Sequence, residues 1–126
     1  MSWQDYVDKN LVGTGKISKA AIIGQAGGVW ATSAGFNLSL EEQSAIVHAF
    51  ANADATLASG IRLAGQKFFT LQVNERSIYF KKQADGCILV KTKQAILVAV
   101  YITPIQAGEA TPVVEALADY LISVGY

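Results

Sequence analysis

Apolar positions along this chain fall into two rhythms, one helical and one extended. Ala110, Val113, Val114, Leu117, Leu121 and Val124 recur at i, i+3, i+4, i+7, i+11 and i+14, which predicts an amphipathic helix over Ala110 to Tyr126. Tyr120 and Tyr126 sit off that stripe, with Leu121 at its margin. At the other end Ser2 is placed to cap a short helix carrying Trp3, Tyr6, Val7 and Leu11, and Gly13-Thr14-Gly15 stops it. Trp3 and Tyr6 are three residues apart and so share one helical face. The two end segments are therefore expected to pack together and show solvent a joint aromatic surface. A surface of that kind is built for a partner rather than for catalysis.

Between the ends the period shortens to two. Lys19 to Ile23 and Val29 to Ser33 read as strands joined by the turn Gln25-Ala26-Gly27-Gly28. Ser39-Leu40-Glu41-Glu42 has the form of a capping box and opens a helix to about Ala51, with Leu40, Ile46, Val47 and Phe50 as its apolar side. Asn52 to Gly60 reads as a loop or short irregular helix. Five strands follow: Ile61 to Ala64, Lys67 to Val73, Ser77 to Lys82, Cys87 to Lys91 and Ala95 to Ile102. The turn expected at Ala84-Asp85-Gly86 joins the third and fourth of these. The unbroken run from Ala95 to Ile102 predicts a central strand covered on both faces. Short turns imply an antiparallel meander, and helices at both ends make the class α+β, with those helices packed on one sheet face. No repeat or linker interrupts residues 1–126, so a single domain is expected.

Composition narrows the function more than the fold. An apolar content of 52% with two prolines excludes disorder. Net charge is zero, so no global field selects nucleic acid or a membrane. The charge is unevenly spread. From Arg62 to Lys93, seven basic residues face only Glu75 and Asp85, a local balance of +5. That segment reads either as a solvated strand face or as a basic docking patch. Cys87 is the single cysteine, which fits a reducing compartment and a buried small side chain. Together with the lack of a leader or a spanning apolar run, it points to the cytoplasm. One histidine and one cysteine cannot make a metal centre, and neither a nucleophile elbow nor a dinucleotide fingerprint is present. Gly13-Thr14-Gly15-Lys16 fails as a phosphate loop, because Asn10 and Ile17 stand where glycine and Ser or Thr are required. No enzyme activity, cofactor or metal is expected.

Several stretches, taken in order, resemble the profilin family, most closely its fungal type. They are Ser2-Trp3-Gln4 with Tyr6, Leu11-Val12-Gly13-Thr14-Gly15-Lys16, Val29-Trp30-Ala31-Thr32-Ser33, Gly65-Gln66-Lys67-Phe68, Arg76-Ser77-Ile78-Tyr79 and Lys91-Thr92-Lys93-Gln94. Gln106 to Thr111 and Ala118 to Ile122 complete the likeness across the whole chain. The resemblance implies a profilin fold, with the terminal helices on one face of an antiparallel sheet and smaller helices on the other. It also implies a cytoplasmic, cytoskeleton-associated protein with two partner sites; for oligomeric state, monomer is the default expectation. A poly-proline groove for proline-rich proteins such as formins would use Trp3, Tyr6, Trp30, Tyr120, Leu121 and Tyr126. Monomeric actin would be met by Lys67, Arg76, Tyr79, Lys81, Gly108, Thr111 and Glu115. Phosphoinositide headgroups would use Arg76 and Lys81.

The resemblance is not uniform. Gln72 and Pro112 stand where fungal relatives commonly carry cations, which lowers electrostatic complementarity toward actin. Phe80 replaces a usual glycine, and at this level either rebuilds the patch beside Tyr79 or blocks it. Pro112 belongs in the first turn of a helix, so the last helix is expected to start shortly before it. A proline reader with weakened actin binding is the alternative these departures raise.

Overall fold

The computed structural model describes residues 2–126. The chain opens with α1 (Trp3–Asp5), capped by Ser2, whose hydroxyl accepts from the Asp5 amide while the Asp5 carboxylate accepts in return. The helical path continues in wider turns through Tyr6–Leu11 and narrower ones through Val12–Thr14. Gly15, at φ 76°, ends it in the left-handed region.

Seven strands follow in chain order: β1 (Lys19–Gly24), β2 (Val29–Thr32), β3 (Ile61–Leu63), β4 (Gln66–Val73), β5 (Ser77–Lys82), β6 (Asp85–Lys91) and β7 (Ala95–Tyr101). They form one antiparallel sheet in the order β2-β1-β7-β6-β5-β4-β3. Strands β3 to β7 are the expected meander. Strand β1 returns beside β7, so β7 is interior and every one of its residues is buried.

The sheet carries a layer on each face. On β7, Leu97, Ala99 and Tyr101 point toward Val7, Leu11, Val114, Leu117 and Leu121 of the terminal helices. Ile96, Val98 and Val100 point the other way, toward Phe36, Ile46 and Phe80. The second face is covered by α2 (Leu40–Ala49), with its Ser39–Glu42 capping box, and α3 (Ala53–Ser59), capped by Asn52. Both faces of the central strand are thus covered, and the α+β arrangement is the one the resemblance implies.

Several boundaries differ from the pattern reading, each for a local reason. The last helix, α4 (Ala107–Ser123), starts three residues before Ala110, so Pro112 lies in its second turn. Its ring replaces a bond to the Gly108 carbonyl. Gly108 is exposed, with open space where a side chain would project, so the turn can open toward solvent. Val124 falls past the helix end and is exposed, whereas Leu121 is at the centre of the packed stripe and fully buried. Leu40 begins α2 but projects into solvent at 83% exposure. The β5–β6 hairpin turns at Gln83-Ala84, with Lys82 paired to Asp85 and Gln83 at φ 55°. Gly86 is already in β6 and lies against Tyr101, where a Cβ would come within 2.3 Å of the phenol oxygen.

Phe80 is the clearest correction. It is fully buried among Ile46, Phe68 and Leu89, on the sheet face opposite Tyr79. Side chains alternate along a strand, so adjacent residues cannot share a face. Phe80 therefore neither rebuilds nor blocks a patch beside Tyr79.

Candidate functional site

Residues from the two ends of the chain converge over β2. The Gln4 amide donates to the Thr32 carbonyl at 2.8 Å, which seats α1 on β2 and brings Trp3 over Trp30. Their ring centroids are 4.7 Å apart, tilted by 52°. Trp3 also meets Tyr6 at 5.6 Å and Tyr126 edge-on at 5.0 Å. Tyr6 meets Tyr120 of α4 at 6.2 Å. These spacings and tilts lie in the range that ring quadrupoles favour. Gly24 makes the close approach of Trp30 possible, since a Cβ there would lie 2.7 Å from the indole nitrogen.

Five of the six residues expected in a proline groove thus form one continuous aromatic surface. Trp3, Tyr6 and Trp30 are half-buried; Tyr120 and Tyr126 are about half exposed. The sixth, Leu121, has no exposed surface and supports the rings from beneath. Its burial removes it as a direct contact. Beyond Tyr6 and Tyr120 the surface continues as a depression of about 380 Å³ between the terminal helices, lined by Asn10, Thr14, Val113, Ala116 and Leu117. The Tyr6 hydroxyl is held above the ordinary tyrosine range, first by hydrogen bonding with Tyr120 and then by burial.

A second cluster joins β5 to α4. Arg76 donates to Asp119 at 2.7 Å and to the Glu115 carboxylate at 3.2 Å. Ser77 and Tyr79 hydroxyls donate to the same Glu115 carboxylate, each at 3.1 Å. Burial alone would lower the Arg76 guanidinium; its two carboxylate partners outweigh that and raise it. Tyr79 is raised by burial and by the charge of Glu115.

Of the residues expected at an actin surface, the fold brings Arg76, Tyr79 and Glu115 into direct contact. Lys81 lies two residues along β5 from Tyr79, on the same face and exposed. Gly108 and Thr111 lie on α4 at seven and four residues before Glu115, hence on its stripe. Lys67 is apart from this cluster, across from Arg62 at the β3–β4 end of the sheet, where its ammonium donates to the Ser59 carbonyl. The +5 segment does not gather into one patch. Lys91 stacks over Phe50 on the opposite face, Lys82 bonds Gln66, and Arg76 is neutralised by two carboxylates.

Four residues join this face that spacing did not nominate. Ser77 and Asp119 complete the Glu115 network. Phe69 and Leu71 of β4 project from the sheet at 65% and 60% exposure. Phe69 pairs with Lys81, and a bulge between Thr70 and Gln72 turns Leu71 toward a cleft of about 370 Å³ that includes Lys81, Tyr101 and Ile105. The alternation Phe68-in, Phe69-out was the available signal. Two large apolar side chains outside a half-covered sheet mark a contact surface.

Comparison with known proteins covers the whole chain. The Profilin family model matches residues 1–126. The chain is 56% identical to profilin-1B of Acanthamoeba castellanii over 126 residues, all of both chains. It is 52% identical to the solved profilin of Schizosaccharomyces pombe, with a TM-score of 0.96, covering 99% of this chain and 100% of that one. Mouse profilin IIa in complex with a double repeat from the FH1 domain of mDia1 shares the fold at a TM-score of 0.82 and 21% identity, with both chains fully covered.

Proposed function

The chain belongs to the profilin family, and from that premise we propose that it binds monomeric actin, regulates actin polymerisation and links actin monomers to proline-rich proteins such as formins. It is a binding protein rather than an enzyme, and works in the cytoplasm alongside the cytoskeleton. The proline ligand lies on Trp3, Tyr6, Trp30, Tyr120 and Tyr126. The single observation that carries this reading is the Trp3-centred ring cluster, continuous with Tyr120 and open to solvent between the terminal helices. A polyproline II segment is extended before it binds, so docking orders little. Its rings stack on flat aromatic faces, and its free carbonyls accept from indole N–H and phenol O–H groups.

Actin docks on the face formed by β4, β5 and α4. Phe69 and Leu71 supply apolar area there, and Arg76, Tyr79, Lys81, Gly108, Thr111 and Glu115 surround or border it. Phosphoinositide headgroups would draw on Lys81 and on Arg76. Because Arg76 already holds two carboxylates, headgroup binding here is weak and salt-sensitive.

A second reading is a proline reader with weakened actin binding. It is favoured by the internal pairing of Arg76, and by Gln72 and Pro112, neutral where the resemblance implies cations. One experiment separates the two. A poly-L-proline peptide and monomeric actin are each titrated at low and high salt. Binding of both, with only the actin arm weakening as salt rises, is the expected outcome. Peptide binding without actin binding selects the second reading, and absence of peptide binding overturns the placement of the groove.

A further inference from the structure

Tyr126 is not held by the helix that precedes it alone. Gly125, at φ 97°, turns the chain back after α4, and the Tyr126 amide donates to the Leu121 carbonyl at 2.8 Å. The turn between β6 and β7 then grips the residue from the sheet side. The Gln94 amide donates to the Tyr126 backbone oxygen at 2.6 Å, and the Thr92 hydroxyl donates to the same oxygen at 2.7 Å. The Gln94 side-chain amide adds a bond to the Gly125 carbonyl at 3.0 Å.

The same turn is tied to the hairpin that carries Trp30. The Gln25 amide donates to the Gln94 carbonyl at 2.9 Å, and the Gln25 side chain donates to the Thr92 carbonyl at 2.5 Å. Thr92 is buried, and its hydroxyl also accepts from the Ala95 amide. Burial and the Ala95 bond hold the Thr92 oxygen in place. Of its two acceptors the Tyr126 oxygen at 2.7 Å is nearer than the Ala95 carbonyl at 3.2 Å, so its proton favours Tyr126. Without the Thr92 and Gln94 donors, Tyr126 would hang from the helix end through one amide and lose its edge-on contact with Trp3.

We propose that Thr92 and Gln94 are positioning residues of the proline groove, clamping Tyr126 edge-on to Trp3 so that the groove has its shape before a ligand arrives. This rests on the reading of the aromatic surface as the proline site. Preformed ring geometry lowers the ordering cost of binding, so loosening Tyr126 costs affinity although neither clamp residue touches the ligand.

The test compares the unaltered chain with Thr92→Val, Thr92→Ser and Gln94→Ala. Three quantities are followed: the affinity for a poly-L-proline peptide, the near-ultraviolet circular dichroism of the aromatic cluster, and the thermal midpoint. Thr92→Val is expected to weaken peptide binding about five-fold, the scale of one lost hydrogen bond, and to alter the aromatic spectrum. Thr92→Ser keeps the hydroxyl and restores both. Gln94→Ala, at an exposed position, gives a smaller loss in the same direction with an unchanged midpoint, which separates positioning from folding. The clamp is overturned if Thr92→Val lowers the midpoint but leaves affinity and spectrum as they were. It is equally overturned if Thr92→Ser fails as badly as Thr92→Val. An unaltered chain that ignores the peptide overturns the proline reading instead, while the spectra of the variants still decide whether Thr92 and Gln94 hold Tyr126.

Discussion

In the groove, Trp3 meets Tyr6, Trp30 and Tyr126 at centroid distances of 5.6, 4.7 and 5.0 Å; on the sheet face, Arg76 meets Glu115 and Asp119 at 3.2 and 2.7 Å. Both regions lie along α4 and both are preorganised, yet they offer a partner different things. The rings are packed against one another and still expose their faces, so a ligand adds to existing contacts. On the sheet face Arg76 is already engaged within the chain by Glu115 and Asp119. A partner there must either displace an internal pair or dock on what surrounds it, and Phe69 and Leu71 are what surrounds it. Preorganisation thus favours binding where it leaves surface open and restrains it where it satisfies the groups a partner would need.

The largest expected effect comes from removing the hub of the ring cluster. Trp3→Ala deletes the one side chain in contact with three other rings, and should weaken poly-L-proline peptide binding by about thirty-fold or more, the scale of an aromatic hot spot. Actin affinity, measured on the same preparation, should remain. Loss of both would mean that the rings hold the helix pair together and that the comparison between regions has no functional content.

Reversing one charge tests the other side. Arg76→Glu sets a third carboxylate against Glu115 and Asp119 and changes the charge of the face by two units. Actin binding should fall about ten-fold, with peptide binding unaffected. Actin affinity that does not respond would move the contact to Phe69 and Leu71 alone.

A backbone position sharpens the groove further. Gly24→Ala forces a methyl group to within 2.7 Å of the Trp30 indole nitrogen, so the indole must shift. Peptide affinity should fall several-fold, and the thermal midpoint should drop, since overpacking costs about 1–3 kcal/mol. Unchanged affinity would remove Trp30 from the ligand surface.

Much of this was legible in the sequence, and the rest failed for identifiable reasons. Ser2 and Ser39 announced helix starts because capping is local chemistry. The run Ala95 to Ile102 announced an interior strand, which ends one residue earlier at Tyr101, because both its faces needed apolar residues. Trp3, Tyr6, Tyr120 and Tyr126 were nameable because they stand on the two end segments expected to pack together, whereas Trp30, in a strand, came only with the resemblance to the family. The start of α4 was missed because Pro112 is tolerated where an exposed glycine precedes it by four residues. Phe80 does not join Tyr79 because alternation along β5 sets neighbouring side chains on opposite faces, a rule that residue type alone does not express. The partners of Arg76 come from an element thirty-nine and forty-three residues away, a relation no local spacing contains. Leu71 owes its direction to a bulge, which is invisible in a two-residue period.

The smallest expected effect concerns the alkaline limit of the groove. Tyr6 is raised above the ordinary tyrosine value of 10.0 chiefly by its hydrogen bond with Tyr120, then by burial and by the neighbouring phenols. A raised value means the fold favours the protonated hydroxyl. Its stabilising contribution is therefore complete below the unfolded value and fades as pH climbs through the folded one. Ultraviolet titration of tyrosinate in Tyr6→Phe and in the unaltered chain isolates the phenol that ionises late. Peptide affinity should hold until that phenol titrates and then weaken modestly, because a charged oxygen between Tyr6 and Tyr120 repels carbonyl acceptors on the ligand. On the sheet face the Arg76 guanidinium stays charged throughout that range, held so by Asp119 and Glu115. The one phenol there, Tyr79, is itself raised by burial and by Glu115, so actin binding should outlast peptide binding as pH climbs only if Arg76 rather than Tyr79 governs it. Peptide binding that weakens at high pH while actin binding holds would distinguish ring-based from ion-paired recognition within one molecule. Parallel loss of both would trace the effect to unfolding rather than to the ionisation of Tyr6.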